Sequence, residues 1–426
     1  MLTQKGQLFP DALQIAIKDK FFHVDVDIDG KERLFMDNAG GSFRLKAAVE
    51  KLAQIDAIPD CPERVHQRAL YLQRIQEQGE RDIKIILNTD EGSIYASLTA
   101  SGAMFDMVRA IAENVPGDNM VTTVLEHPSS FDAMQFYAGR TQRELRVARS
   151  NPETGGVDID EIIRLIDKNT CLLSVMHASN ISGAKFDIEQ IVHRTRQIKP
   201  DLFIIVDAVQ HAPHAIIDLK KYPVDGINFA PYKFFGCRGS GISWLSPRAA
   251  AFPHHKLAGK PEQAWELGSP APAQFAVLTE IVDYVCWLGA HFRQADDRRE
   301  QFCIGMKAIA LHERALLAAL LEGVDGATGL RNISGVRTFL DHDDLAQREL
   351  ILAMSIDGLS PTEAVREYEK RGVIVYERIA SSIYSKRMLE SFGLVGAIRV
   401  SPLHCQSLQD IRKFLQITAE IAENFS

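Results

Sequence analysis

The middle of the chain switches repeatedly between two hydrophobic periods. Ile159, Ile162, Ile163, Leu165 and Ile166 recur at helical spacing and predict a helix within 157–168. The unbroken apolar run 171–176 that follows predicts a strand buried on both faces. Residues 187–198 are amphipathic again, Lys199-Pro200-Asp201 breaks the helix, and 202–206 predicts the next buried strand. Two more strands are predicted at Gly226–Phe229 and Gly241–Leu245, with Lys233 in the turn between them. Upstream, 105–113 reads as a helix and 120–125 as a strand. Strands alternating with helices of this length predict an α/β fold, a mainly parallel sheet covered on both faces, whose ligands sit outside the carboxyl ends of the strands. A long helical stretch over 292–322 links this unit to a tail, 336–426, whose mixed runs predict a second, smaller α/β unit.

Composition narrows the class without naming a function. Apolar residues make 46% of the 426 positions and charged residues 24%, which excludes a disordered, collagen-like or disulfide-scaffold chain. Against 56 acidic residues stand 48 Lys and Arg, and the net charge of −8 leads us to expect neither nucleic acid nor a membrane as partner. The six cysteines show no Cys-x-x-Cys spacing, as expected of reduced thiols in a cytoplasmic protein. Residues 1–11 carry one lysine and no signal-peptide core, and no later run reaches the roughly 18 apolar residues of a membrane span.

Candidate chemistry collects where the predicted strands end. Asp207 closes the strand 202–206 with Gln210 just beyond it, a place where an acid either caps the next loop or faces a ligand. Lys233 precedes Phe234-Phe235 and the glycine-dense turn 236–241. An amine held among aromatic rings loses cation stability and becomes usable for Schiff-base chemistry, whereas on the surface it would only snorkel. His127 follows another predicted strand and offers a flat ring, for stacking on a planar cofactor or for a purely structural bond. Thr99-Ala-Ser-Gly-Ala-Met104 precedes a helix, whose free amides can hold a phosphate. The pairs in His211-Ala-Pro-His214 and Asp341-His-Asp-Asp344 lack a complete metal-ligand set.

A phosphate cradle, a stacking ring, an acid for a pyridinium nitrogen and a Schiff-base lysine are together the parts a pyridoxal phosphate enzyme requires. In order and spacing the chain resembles the class V aminotransferase family, and within it the cysteine desulfurase-like group, from about Phe35 to Ile421. The segments Val206-Asp-Ala-Val-Gln210 and Pro231-Tyr-Lys-Phe-Phe-Gly236 carry the resemblance most specifically. It implies a fold-type I architecture: a large cofactor domain with a mainly parallel seven-stranded sheet over 35–290, a smaller C-terminal domain with its linker helix over 291–426, and an N-terminal segment, 1–34, packed with the small domain. It also implies pyridoxal 5'-phosphate as cofactor, with Lys233, Asp207 and His127 catalytic. Ser101, Gly102, Ala103, Met104, Asn180, Gln210 and Tyr232 are implied in cofactor binding. Asn38, Ala39, Gly40, Asn180 and Arg399 are implied at the amino-acid substrate, Arg399 as the clamp on its carboxylate. Gly268-Ser269-Pro270 matches a segment that reaches the neighbouring subunit's cofactor phosphate, which implies a homodimer.

The departures from the family pattern bear on the reaction. The family's Ser-x-His-Lys is Ala230-Pro-Tyr-Lys233 here, with Tyr232 in the histidine's place, and its phosphate-loop threonine falls on Met104, which donates no hydrogen bond. Phosphate binding is then expected to lean on backbone amides. Where desulfurases carry a nucleophilic cysteine, this chain reads Glu377-Arg-Ile-Ala-Ser-Ser-Ile-Tyr-Ser385. The expected activity is a desulfurase-like lyase, C–S or other β-elimination, without that cysteine; an aminotransferase, an epimerase or a catalytically silent scaffold remains open.

Overall fold

The computed structural model describes residues 5–425. Seven strands form the central sheet: β1 Ser93–Ser97, β2 Asn119–Thr123, β3 Glu144–Ala148, β4 Thr170–Met176, β5 Phe203–Asp207, β6 Gly226–Phe229 and β7 Gly241–Leu245. Their order is β1-β7-β6-β5-β4-β2-β3. Neighbours from β6 to β3 pair in parallel, and β7 runs antiparallel to both β1 and β6. The predicted alternation is therefore present, with one reversed strand near the edge.

Each strand of the centre is buried throughout and mostly apolar because it is covered twice. In β4 and β5, Leu172, Phe203 and Ile205 face the helices Ala100–Asn114 and Pro128–Arg140, where Met104, Met107 and Met134 are wholly buried. Their alternates Leu173, Ile204 and Val206 face the opposite layer, built on Ile188–Ile198, Pro272–Ala290 and Arg298–Glu322. The sequence pattern had given no helix at Pro272–Ala290. It is the one helix among the described residues long and apolar enough to cross a membrane, yet Phe275, Val277, Ile281 and Val285 are fully buried against its neighbours.

Beyond Arg298–Glu322 the chain forms a second sheet, antiparallel, from β8 Val336–Phe339, β9 Leu352–Ile356, β10 Tyr376–Ile379 and β11 Gly396–Val400 in the order β8-β9-β11-β10. Helices Pro361–Lys370 and Leu408–Phe425 cover it, and Leu316, Leu317, Leu320 and Leu321 at the end of the long helix complete a separate apolar cluster. Leu34–Phe35 pairs in parallel with Val373–Ile374, which brings residues 37–41 beside β11. The helix Asp11–Asp19 divides its loyalties: Leu13 and Ile17 join the larger cluster, while Gln14 bonds the carbonyl of Cys405 at 2.7 Å and Lys18 pairs with Asp410.

Helix Ala100–Asn114 starts five residues earlier than its pattern predicts. Thr99 caps it, its Oγ1 accepting from the Gly102 amide at 3.0 Å, so the small residues 100–104 are the first turn and not a loop before it. Gly241 lets this turn approach the sheet, since a Cβ there would stand 2.1 Å from the Ala100 nitrogen.

Candidate active site

Three parallel strands, the neighbours β6 and β5 and, across β4, β2, end on the same side of the sheet, and each delivers one chemical group. β5 ends on Asp207, in register with Met176 of β4 and Asn228 of β6. Its Oδ1 accepts from the Val209 amide at 3.0 Å, and burial raises its pKa against the opposing pull of that bond and of Lys233. After β6 the chain turns through Pro231–Lys233 and presents the Lys233 amine to the same cavity. Burial, with Arg399 and Arg378 adding to it against Asp207, lowers the Lys233 pKa to about 7. Behind it, Phe234 and Phe235 are fully buried and lock the turn into the core.

His127 leaves the end of β2 as the N-cap of Pro128–Arg140, its Nδ1 accepting from the Ser129 amide at 3.2 Å. Burial and the neighbouring Lys233 push its pKa down to about 3, so the ring is neutral. The adjoining Glu126 braces this strand end by accepting from Thr123 Oγ1 at 2.7 Å and from the Met176 amide at 2.9 Å.

Two adjoining cavities of about 250 and 350 Å³ share His127, Asn180, Lys233 and Arg238 and form one cleft. Ser101, Asp207, Gln210 and Tyr232 line the inner cavity, and Ala39, Gly40 and Arg399 the outer one. Gln210 Nε2 donates to the Ala39 carbonyl at 3.0 Å and so ties the two cavities. Arg399, on β11 opposite Tyr376 and Ala353, pairs with Asp37 and donates to the Asn180 carbonyl at 3.2 Å.

Several residues singled out in the sequence lie elsewhere. Ala103 and Met104 are fully buried beneath the sheet, because a helix begun at Ala100 turns both towards the core, and Gly102 spends its amide on the Thr99 cap. None of the three lines the cleft, whose inner wall is formed one turn earlier by Leu98, Thr99, Ala100 and Ser101. Asn38 is used by the scaffold: its Nδ2 reaches the Ser401 carbonyl at 3.3 Å and its Oδ1 accepts from the Phe43 amide at 3.1 Å. Ser269 is exposed and outside both cavities. His211 and His214 bond Glu349 and Glu313 instead of assembling a metal site.

Sequence reasoning missed Asp37, Arg238, Tyr376, Arg378 and Tyr384, all of which line the outer cavity. Arg378 and Tyr384 stood in the segment noted only for lacking a cysteine, and no local signal marked them: Arg378 stands on β10 and Tyr384 in the turn after it. Among the described residues no cysteine lines the cleft.

The donor set fits pyridoxal phosphate. A carboxylate, an amine and a neutral ring converge in one cavity, and the Asn180 Oδ1 is buried there without a partner, an acceptor waiting for a donor such as a phenolic hydroxyl. The aminotransferase class-V family model matches residues 34–414. A probable cysteine desulfurase of Synechocystis is 23% identical over 428 residues, covering 95% of this chain and 94% of that one. A second, "Probable cysteine desulfurase 2" of Mycobacterium leprae, is 30% identical over 222 residues, about half of each chain. Among solved structures, the Escherichia coli cysteine desulfurase CsdA superposes with a TM-score of 0.79 over 99% of this chain and all of that one at 17% identity. The apo cysteine desulfurase of Thermococcus onnurineus gives 0.78 at 19% identity, over 92% of this chain and 95% of that one. With strand order, cleft and family model in agreement over nearly the whole length, this chain belongs to the class V aminotransferase family of pyridoxal phosphate-dependent enzymes.

Proposed function

We propose that the protein binds pyridoxal 5'-phosphate in this cleft and acts as a lyase on the Cα–Cβ portion of a β-substituted amino acid. The observation that carries the reading is the half-buried Lys233, its amine pKa lowered to about 7, in one cavity with Asp207 and His127. Lys233 would hold the cofactor through its amine and, once released by substrate, move the Cα proton as base and then acid. Asp207 would keep a proton on the pyridine nitrogen, His127 would cover the ring, and Asn180 would meet its phenolic edge. Ser101 and the first amides of Ala100–Asn114, with Tyr232, would take the phosphate. Arg399 would clamp the substrate carboxylate. When bound, the cofactor supplies an electron sink that acidifies the Cα proton.

Relatives named cysteine desulfurases favour C–S or other β-elimination, and with no cysteine lining the cleft among the described residues we read the reaction as one without a protein persulfide, the alternative being a distant cysteine such as Cys237 or Cys405. The exposed Ser269 would reach a second copy's cleft in a homodimer. In this reading, 35–290 forms the cofactor domain, 291–426 the smaller one, and the protein works in the cytoplasm. The test is the absorbance spectrum of the purified protein with and without borohydride, followed by a panel of L- and D-amino acids. We expect a band near the visible edge that is lost in Lys233→Ala, and release of keto acid with ammonia. Conversion to the pyridoxamine form would replace the lyase by an aminotransferase, and loss of optical activity alone by an epimerase. No band even with added cofactor would sink the enzyme assignment and leave a scaffold.

A further inference from the structure

The outer cavity holds more positive charge than the reading above uses. Lys233, Arg238, Arg378 and Arg399 line it, and Asp37 is the single carboxylate that does. Asp37 is taken by Arg399. Arg238 is exposed and lies over the Tyr232 ring, 4.3 Å from its centroid.

Arg378 is different in kind. It is 4% exposed on β10, in register with Ala397, and it forms no ion pair among the described residues. Its Nη2 donates to the Tyr384 carbonyl at 2.6 Å, and its Nε is buried with no partner at all. Burial and then the charge of Arg399 push its pKa down to about 9, against a weaker opposing pull from Tyr376 and from Asp37, which Arg399 already holds in an ion pair. A buried guanidinium without an anion is costly, and a cleft that keeps one has an incoming anion to offset the cost. The cofactor phosphate is not that anion, because its cradle at Ala100–Asn114 belongs to the inner cavity, which Arg378 does not line. The substrate α-carboxylate is not either, because Arg399 takes it. Both guanidinium groups gather at the Tyr376 ring, the Arg399 carbon 5.2 Å and the Arg378 carbon 5.9 Å from its centroid.

We propose that Arg378 is the side-chain subsite of the cleft and that the substrate is an amino acid whose side chain ends in a carboxylate, the α-carboxylate on Arg399 and the second on Arg378. This rests on the reading that an amino acid is handled at Lys233. Planar, two-pronged donors suit carboxylates at both ends, and two guanidinium groups gathered at one tyrosine ring in one cavity suit a short dicarboxylic substrate.

The experiment titrates the cofactor-loaded protein with L-aspartate against L-asparagine and L-glutamate against L-glutamine, read by the cofactor band. Calorimetry with glutarate and succinate against butyrate, which carry no amine, runs beside it. The acids are expected to bind about tenfold or more tightly than their amides, as for a charge-assisted bond to a buried cation. Arg378→Gln should narrow the acid-to-amide ratio to within about twofold, and Arg378→Lys should keep part of it. Equal affinity for acid and amide with the band intact would overturn the subsite while the cofactor reading stands, and so would a preference that persists in Arg378→Gln. If the band itself is absent, the cofactor reading fails, and dicarboxylate against monocarboxylate binding still decides the subsite. Should Arg378→Gln not fold, the wild-type ratios and the lysine variant decide it.

Discussion

Lys233 shows how one side chain is tuned by what the fold sets around it. Burial is the largest influence on its amine, Arg399 and Arg378 push in the same direction, and Asp207 pushes back. The amine therefore loses its proton near pH 7, not near the ordinary lysine value. Capture of pyridoxal phosphate by the cofactor-free protein is expected to speed up as pH rises through about 7. Asp207→Asn removes the group that favours the cation, so the midpoint should move lower still. Stopped-flow absorbance across pH 5.5–9.5 checks both, and a midpoint near 10 in the wild type would refute the buried-amine account. Asp207 and Lys233 were legible in the sequence because each terminates an apolar run, and the run itself places the residue at a strand end. Asp37 and Arg378 were not, because nothing local marks them and they reach the cleft from 34–41 and from β10 only through the second sheet.

At the scale of elements, the layer behind the sheet depends on close helix crossings. Gly305 of Arg298–Glu322 lies against Pro272–Ala290 so tightly that a Cβ would stand 2.1 Å from the Val285 carbonyl oxygen. From the facing helix, Gly289 meets the Gln301 carbonyl at 2.6 Å in the same sense. Backbone cannot yield as a flexible side chain can, so Gly305→Ala should destabilise the protein by about 1–3 kcal/mol, as overpacking does. Urea denaturation measures it, and a midpoint equal to wild type would mean that the helices separate freely. The strands and the amphipathic helices were legible from period alone. Pro272–Ala290 was not, since a helix buried nearly all round has no polar face to set its period, and Ala100–Asn114 was placed late because its small first-turn residues carry no apolar period, although its Thr99 cap is local.

Across the whole molecule, buried histidine–glutamate pairs join the segment after β5 to the long helix and to the second sheet's approach. His211 Nδ1 meets Glu349 at 2.6 Å, and His214 Nδ1 meets Glu313 at 2.7 Å, all four residues being buried. Burial alone would raise the Glu349 pKa, but His211 outweighs it and holds the carboxyl down to about 2. That stabilisation is present above the unfolded carboxylate value and is lost as pH falls through about 2. For His214, burial lowers the pKa and the Glu313 charge outweighs it, so the folded value is raised. Its contribution is complete below the unfolded histidine value and is lost as pH rises through the folded one. Removing one partner of such a pair costs roughly 3–5 kcal/mol where both are charged. Glu349→Gln should therefore cost more at pH 6 than at pH 2.5, and His214→Gln more at pH 6 than at pH 9. Denaturant midpoints at the three pH values check this, and equal losses throughout would show the pairs to be electrostatically idle.

The sequence by itself determined the α/β class, the parallel core and the strand ends on which Asp207, Lys233 and His127 stand. Those follow from periods of two and 3.6 and from where apolar runs stop, which are properties of neighbouring residues. Only the tertiary structure decided which helix turn faces the cleft, that Met104 and Asn38 serve the scaffold, and that Arg378 is left without an anion beside Arg399. Burial and charge balance depend on groups hundreds of residues apart, and no local pattern encodes which of them will meet.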